Sequence, residues 1–130
     1  DLREAMRLAA GRDLVARQYV EDFSTVLHEA APRLRDALAR GWSIAEAVVW
    51  TQLHLMARHG DSLIARKCGD AVSRESAARA GAALAAGAPG DEAYHAALAD
   101  FDFWLRSDGH RRNPGTTADL LAAALFALVR

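Results

Sequence analysis

The chain has 130 residues, 52% of them hydrophobic and 25% charged, with a formal net charge of −1. That length suits a single helical domain over residues 1–130 with a modest core, and this composition excludes a disordered tail. Near-neutral charge argues against a dedicated nucleic-acid binder, the absence of a long apolar run excludes a membrane-spanning helix, and the single cysteine, Cys68, fits a reducing compartment.

Helical periodicity dominates, and no β-branched alternation reads as a strand. Alanine fills 30 positions, which favours helices that pack closely and lose little side-chain entropy. Leu2, Met6 and Ala9 begin a short helix that ends near Gly11. Asp13 is placed to cap a second helix, whose Leu14, Ala16, Tyr19, Val20 and Phe23 form an apolar stripe, and which is expected to run to about His28. Pro32 suits the first turn of a third, with Leu34 and Leu38 inward and Gly41 closing it. Ser43 and Glu46 have capping-box spacing ahead of a helix carrying Val48, Val49, Leu53, Leu55 and Met56. A short helix over Ser62–Cys68 follows Gly60, and an Ala-rich amphipathic helix covers Asp70–Ala86. The run Gly87-Ala88-Pro89-Gly90 reads as a turn, after which Asp91 is placed to cap a helix to about Arg106. A polar loop over 109–115 precedes a last apolar helix through Leu120 to Val129, with Thr116 or Thr117 as its cap. The pattern predicts an all-α protein, a compact bundle of about seven helices joined by short loops.

Two stretches have the residue types for chemistry. The first is Gly109-His110-Arg111-Arg112-Asn113-Pro114-Gly115-Thr116-Thr117-Ala118-Asp119. Glycines let backbone approach a ligand, arginines supply forked cationic donors, and a helix start offers free amides at its positive end. Together these make an anion site, phosphate being the usual occupant; a capped loop with solvated arginines has the same pattern. The second is His59-Gly60-Asp61-Ser62-Leu63-Ile64-Ala65-Arg66-Lys67-Cys68-Gly69. Asp61 reads either as a helix N-cap or as a Mg²⁺ ligand or general base. Arg66 and Lys67 can meet a polyphosphate or complement a helix C-terminus. Asp119 reads as a first-turn carboxylate or a second Mg²⁺ ligand.

Other constellations are weaker. His54 and His59 do not share a helical face and no Cys pair exists, which argues against zinc. Gly60 interrupts what would be a His-Asp dyad. Cys68 has no Cys-His arrangement beside it and reads as a spectator thiol. His28 and His95 read as structural or surface residues, and Trp42, Trp50 and Trp104 as core or interface.

The segments Asp13-Leu14-Val15-Ala16-Arg17-Gln18-Tyr19, Gly60 to Gly69 and Gly109 to Phe126 resemble the triphosphoribosyl-dephospho-CoA synthases. The run Arg112-Asn113-Pro114-Gly115-Thr116-Thr117-Ala118-Asp119-Leu120-Leu121-Ala122-Ala123 is closest to the malonate decarboxylase branch. The resemblance implies a transferase that joins the triphosphoribosyl group of ATP to the 2′-hydroxyl of 3′-dephospho-CoA and releases adenine, and the lone cysteine makes a cytoplasmic setting the expected one. The product is the prosthetic-group precursor for the acyl carrier protein of the decarboxylase. It implies Arg66, Lys67, Arg111 and Arg112 on phosphates, with Asn113, Gly115, Thr116 and Thr117 completing the substrate contacts. Asp61 and Asp119 are then the Mg²⁺ ligands or the acid-base pair.

Two motifs of the family's N-terminal half, of the Pro-Lys-Pro-Gly-Leu-Val-Asp and Thr-His-Lys-Gly types, are missing from the sequence. The chain is therefore expected to be the C-terminal half of a longer synthase, with that N-terminal half as a partner and self-association left open. An alternative is a non-catalytic helical module that scaffolds the partner half or docks the acyl carrier protein, whose acidic surface suits arginine-rich loops.

Overall fold

A computed structural model describes residues 1–129. The helices are α1 (Leu2–Ala9), α2 (Leu14–Val20), α3 (Ala31–Ala39), α4 (Ile44–His59), α5 (Ser62–Cys68), α6 (Asp70–Ala86), α7 (Glu92–Arg106) and α8 (Gly115–Val129). A π turn, Val26–Ala30, feeds directly into α3, and no strand occurs among the described residues. The all-α bundle anticipated from periodicity is the architecture observed.

Helix α4 forms the axis because it is apolar on opposite sides. One side, with Ala47 and Leu55, joins a core with Leu14, Val26, Ala30, Leu34, Leu120, Leu121 and Ala124. The other, with Leu53 and Met56, packs on Ile64, Ala80, Ala83, Tyr94 and Phe101. Small residues set the approach of α6: Ala80 and Ala83 are fully buried, and a Cβ added at Gly81 would lie 3.9 Å from the Ala57 Cβ. Helix α1 contributes no buried residue, and its Leu2 and Leu8 are exposed, so the stripe expected there does not reach the core.

Several local expectations hold and others change. Ser43 and Glu46 form both bonds of the capping box, at 3.1 and 3.0 Å, and Pro32 sits in the first turn of α3. The helix expected to run from Asp13 to about His28 instead stops at Val20. Asp22 and Phe23 take left-handed backbone at φ 54° and 60°, which an α-helix cannot continue through, and the Phe23 N–H donates to the Gln18 carbonyl at 2.7 Å. The buried Gln18 amide spans the break, donating to the Leu14 carbonyl and accepting from the Val26 N–H. Leu38 is 39% exposed rather than inward, because in the last turn of α3 it is Ala37, one position round the helix, that enters the core with Leu34. Asp91 turns its carboxylate back to the Ala88 N–H at 2.9 Å and fastens the preceding turn instead of capping α7.

Candidate functional site

The three segments singled out in the sequence meet at one edge of the bundle. Asp13 caps α2 through the Val15 and Ala16 amides, and the next amide, Leu14 N–H, crosses to the Ser62 hydroxyl at the start of α5 at 3.0 Å. Ser62 in turn gives its N–H and its hydroxyl to Thr116 Oγ1, both at 3.1 Å. The N-termini of α2, α5 and α8 are thus tied together by side-chain oxygens that satisfy their orphan amides.

Asp61 is the centre of this knot. It is 1% exposed. One carboxylate oxygen accepts from the Leu63 and Ile64 amides at 2.9 and 3.1 Å, which caps α5. The other accepts from the Thr117 N–H at 2.9 Å and the Thr117 hydroxyl at 2.7 Å. Four donors fill the roughly four lone-pair positions of a carboxylate. The anion at the positive end of α8 is therefore the protein's own side chain. Thr116 and Thr117 do not cap α8: it starts at Gly115, and their hydroxyls face α5. Gly115 makes this approach close, since a Cβ there would come within 2.6 Å of Leu63 Cδ2.

The arginines of the 109–114 loop are engaged by the protein's own carbonyls as well. Arg111 donates to the Lys67 carbonyl at 2.9 Å, and the Cys68 thiol donates to the Arg111 carbonyl at 3.2 Å, so loop and α5 are stapled from both sides. Arg112 donates to the Trp104 carbonyl and the Ser107 hydroxyl, both at 3.0 Å, and lies 4.3 Å over the Trp104 ring. Arg79 covers the same indole at 4.7 Å, an arrangement that holds Trp104 as a structural residue. Asn113 lines a separate cavity of about 480 Å³ with His110 and Asp102. Lys67 and Asp119 are exposed and lie outside that cavity.

Arg66 and Asp61 instead line a polar cleft of about 610 Å³ between the α1–α2 turn, the start of α5 and the start of α6. Arg12, Arg17 and His59 line it too. Among the described residues none of Arg12, Arg17 and Arg66 makes an ion pair. Asp13 and Asp61, which share the cleft, are engaged by helix amides rather than by these guanidinium groups. His59 is held from behind: its Nε2 lies 2.7 Å from Glu29 Oε2, and Arg58 approaches the other Glu29 oxygen at 3.6 Å. Three forked cations facing an open polar cavity can clamp a polyphosphate.

The model of the family described as ATP:dephospho-CoA triphosphoribosyl transferase matches residues 1–129. The chain belongs to this family. Members of the transferase family take ATP and dephospho-CoA as substrates, and a cleft lined by arginines without ion pairs, of which Arg17 donates only to the Ala10 carbonyl at 3.4 Å, suits two phosphate-bearing reactants. No curated protein and no solved structure matches the chain. Among the described residues no helix is long and apolar enough to cross a membrane, and no group of three or more His, Cys, Asp and Glu side chains converges to hold a metal ion.

Sequence reasoning drew Asp61 and Arg66 into the candidate site of this transferase, weighed His59 only as a zinc ligand or half of a His-Asp dyad, and gave Arg12 and Arg17 no role. Arg17 lies inside the Asp13–Tyr19 segment, so its position there was the available signal. The pairing of His59 with Glu29 gives none, because the two are 30 residues apart in sequence.

Proposed function

We propose that the protein is a triphosphoribosyl-dephospho-CoA synthase, or the part of one that binds the triphosphate, and that ATP lies in the cleft with its phosphates on Arg12, Arg17 and Arg66. The observation that carries this reading is the set of three arginines without ion pairs around a cavity of about 610 Å³. Charge-assisted, bidentate contacts to phosphate are the strongest use of such groups. Asp61 serves by locking the starts of α5 and α8, which fixes the cleft floor.

The reaction breaks the N-glycosidic bond of ATP, builds positive charge on the ribose, and joins its C1′ to the 2′-oxygen of 3′-dephospho-CoA. Negative charge near the sugar stabilises that state. Mg²⁺ supplies charge neutralisation on the triphosphate when bound, and it needs only one or two carboxylates beside phosphate oxygens. Asp70, exposed at the start of α6 and lining the cleft, fits that requirement. The resemblance of the Arg112–Ala123 run supports the malonate decarboxylase branch, and the single cysteine supports a cytoplasmic setting. An N-terminal half carrying the two further family motifs completes the substrate site in this reading.

The test is incubation of the intact protein with ATP, Mg²⁺ and 3′-dephospho-CoA, followed by mass spectrometry. Release of free adenine with a triphosphoribosyl adduct of dephospho-CoA is expected. ATP bound with no adenine released would instead support the non-catalytic module.

A further inference from the structure

We infer that His59, oriented by Glu29, is the general base that takes the proton from the attacking 2′-hydroxyl. This assignment rests on the synthase reading and adds a residue to it.

Three observations place His59 in that role. First, its Nε2 and the Glu29 carboxylate are 2.7 Å apart, and both side chains are largely shielded, at 16% and 19% exposure. A carboxylate in that position accepts from Nε2–H, which fixes the tautomer and leaves the lone pair on Nδ1. Among the described residues Nδ1 has no hydrogen-bonding partner. Second, His59 lines the cleft shared by Arg12, Arg17 and Arg66, so an acceptor with a vacant lone pair stands in the same cavity as the phosphate-binding groups. The other candidate acceptors are less suited. Asp61 already receives four hydrogen bonds, Asp13 is engaged as the cap of α2, and Asp70 is the exposed carboxylate that fits Mg²⁺. Third, Glu29 is presented by the π turn Val26–Ala30, entered through the two left-handed residues Asp22 and Phe23. Left-handed backbone at Phe23 is an uncommon and costly conformation, and single π turns recur at functional sites. The arrangement resembles the logic of a base oriented by a buried carboxylate.

The step balances without any further reactant. The 2′-oxygen of dephospho-CoA forms the bond to C1′ of the ATP ribose as the C1′–N9 bond breaks, its electron pair leaving with adenine. The hydroxyl proton passes to His59 Nδ1. The departing adenine anion takes that proton from the imidazolium, directly or relayed by a water, which returns His59 to its starting state. Glu29 is a positioning residue throughout.

The experiment uses the intact protein with ATP, Mg²⁺ and 3′-dephospho-CoA, following adenine release. His59→Gln is expected to lower kcat by about 100-fold or more, the usual range for losing a general base, with the KM for ATP within about threefold of wild type. His59→Ala should regain activity with added imidazoles in proportion to their basicity, a response that mere cavity filling would not give. Glu29→Ala should reduce kcat while leaving the KM for ATP unchanged. A wild-type protein that turns over while His59→Gln keeps full kcat overturns the base assignment and leaves the synthase reading standing. Rescue that follows the size of the imidazole rather than its basicity also overturns it. A wild type that releases no adenine overturns the synthase reading and the base assignment together.

Discussion

Replacing Asp61 with alanine removes the carboxylate at which two helix starts are joined. Four donors lose an acceptor: the amides of Leu63, Ile64 and Thr117 and the Thr117 hydroxyl. Leu63 keeps a second acceptor in Thr116 Oγ1 at 3.4 Å, so three groups are left without a partner in a region that is almost fully buried. Each such group costs about 1–3 kcal/mol. Relaxation and water entry take the lower end of that range, which puts Asp61→Ala at about 3–5 kcal/mol, similar to breaking other buried charged networks. Against a total stability of about 5–15 kcal/mol for a domain, this is a large fraction. Asp61→Asn should cost less, about 1–2 kcal/mol: one amide oxygen can still cap α5, while its NH₂ group opposes the Thr117 N–H. Urea denaturation followed by far-ultraviolet circular dichroism measures both, with unchanged slope as the sign that the same surface unfolds. Pairing Asp61→Ala with Thr117→Ala should show coupling above about 0.5 kcal/mol. A loss below about 1 kcal/mol for Asp61→Ala would refute the knot, since an isolated N-cap alone accounts for that much.

Other expectations follow from neighbouring geometry. Gly60 joins α4 to Asp61 at φ 68° and ψ −173°, a region that only glycine occupies readily, and a Cβ would lie 3.0 Å from Ser73 Oγ; Gly60→Ala should cost about 1–3 kcal/mol in the same denaturation assay. Arg112→Ala should lower stability by about 1–2 kcal/mol through its lost hydrogen bonds and its contact with Trp104, while calorimetric ATP affinity stays unchanged. Burial, and then the charges of Arg33 and Arg40, push the His54 pKa down. The folded state therefore favours neutral His54, so its contribution to stability is complete above the unfolded value of about 6.5 and is lost as pH falls through the folded value. Thermal melts from about pH 7.5 to pH 5.5 should show that decline, and His54→Asn should reduce its slope.

Elements with a local signal were legible in the sequence. The capping box at Ser43 and Glu46, the caps at Asp13 and Asp61, and glycines at helix ends fix boundaries through contacts a few residues long, and those boundaries hold. The break after Val20 was not legible, because it is held by a buried Gln18 that looks like an ordinary polar residue in an amphipathic stripe. The candidate site divides in the same way. Asp61 and Arg66 stand out by type and spacing. The engagement of Arg111 and Arg112 depends on carbonyls at Lys67 and Trp104, and the acceptor for a carbonyl-seeking guanidinium cannot be inferred from residue identity. The Glu29–His59 pair depends on how the π turn packs beside α4, a tertiary fact with no periodic trace.

The central claim is that the triphosphate is held by Arg12, Arg17 and Arg66 rather than by the 109–114 loop. Calorimetric titration of ATP and of adenosine into the intact protein and into its Arg66→Ala and Arg12→Ala variants tests it most directly. Hydrogen bonds to charged groups contribute about 1.5–3 kcal/mol, so each variant should bind ATP about 10- to 100-fold more weakly while its affinity for adenosine, which lacks phosphate, is unaltered. ATP affinity that survives both substitutions and falls instead on Arg111→Ala would contradict the account.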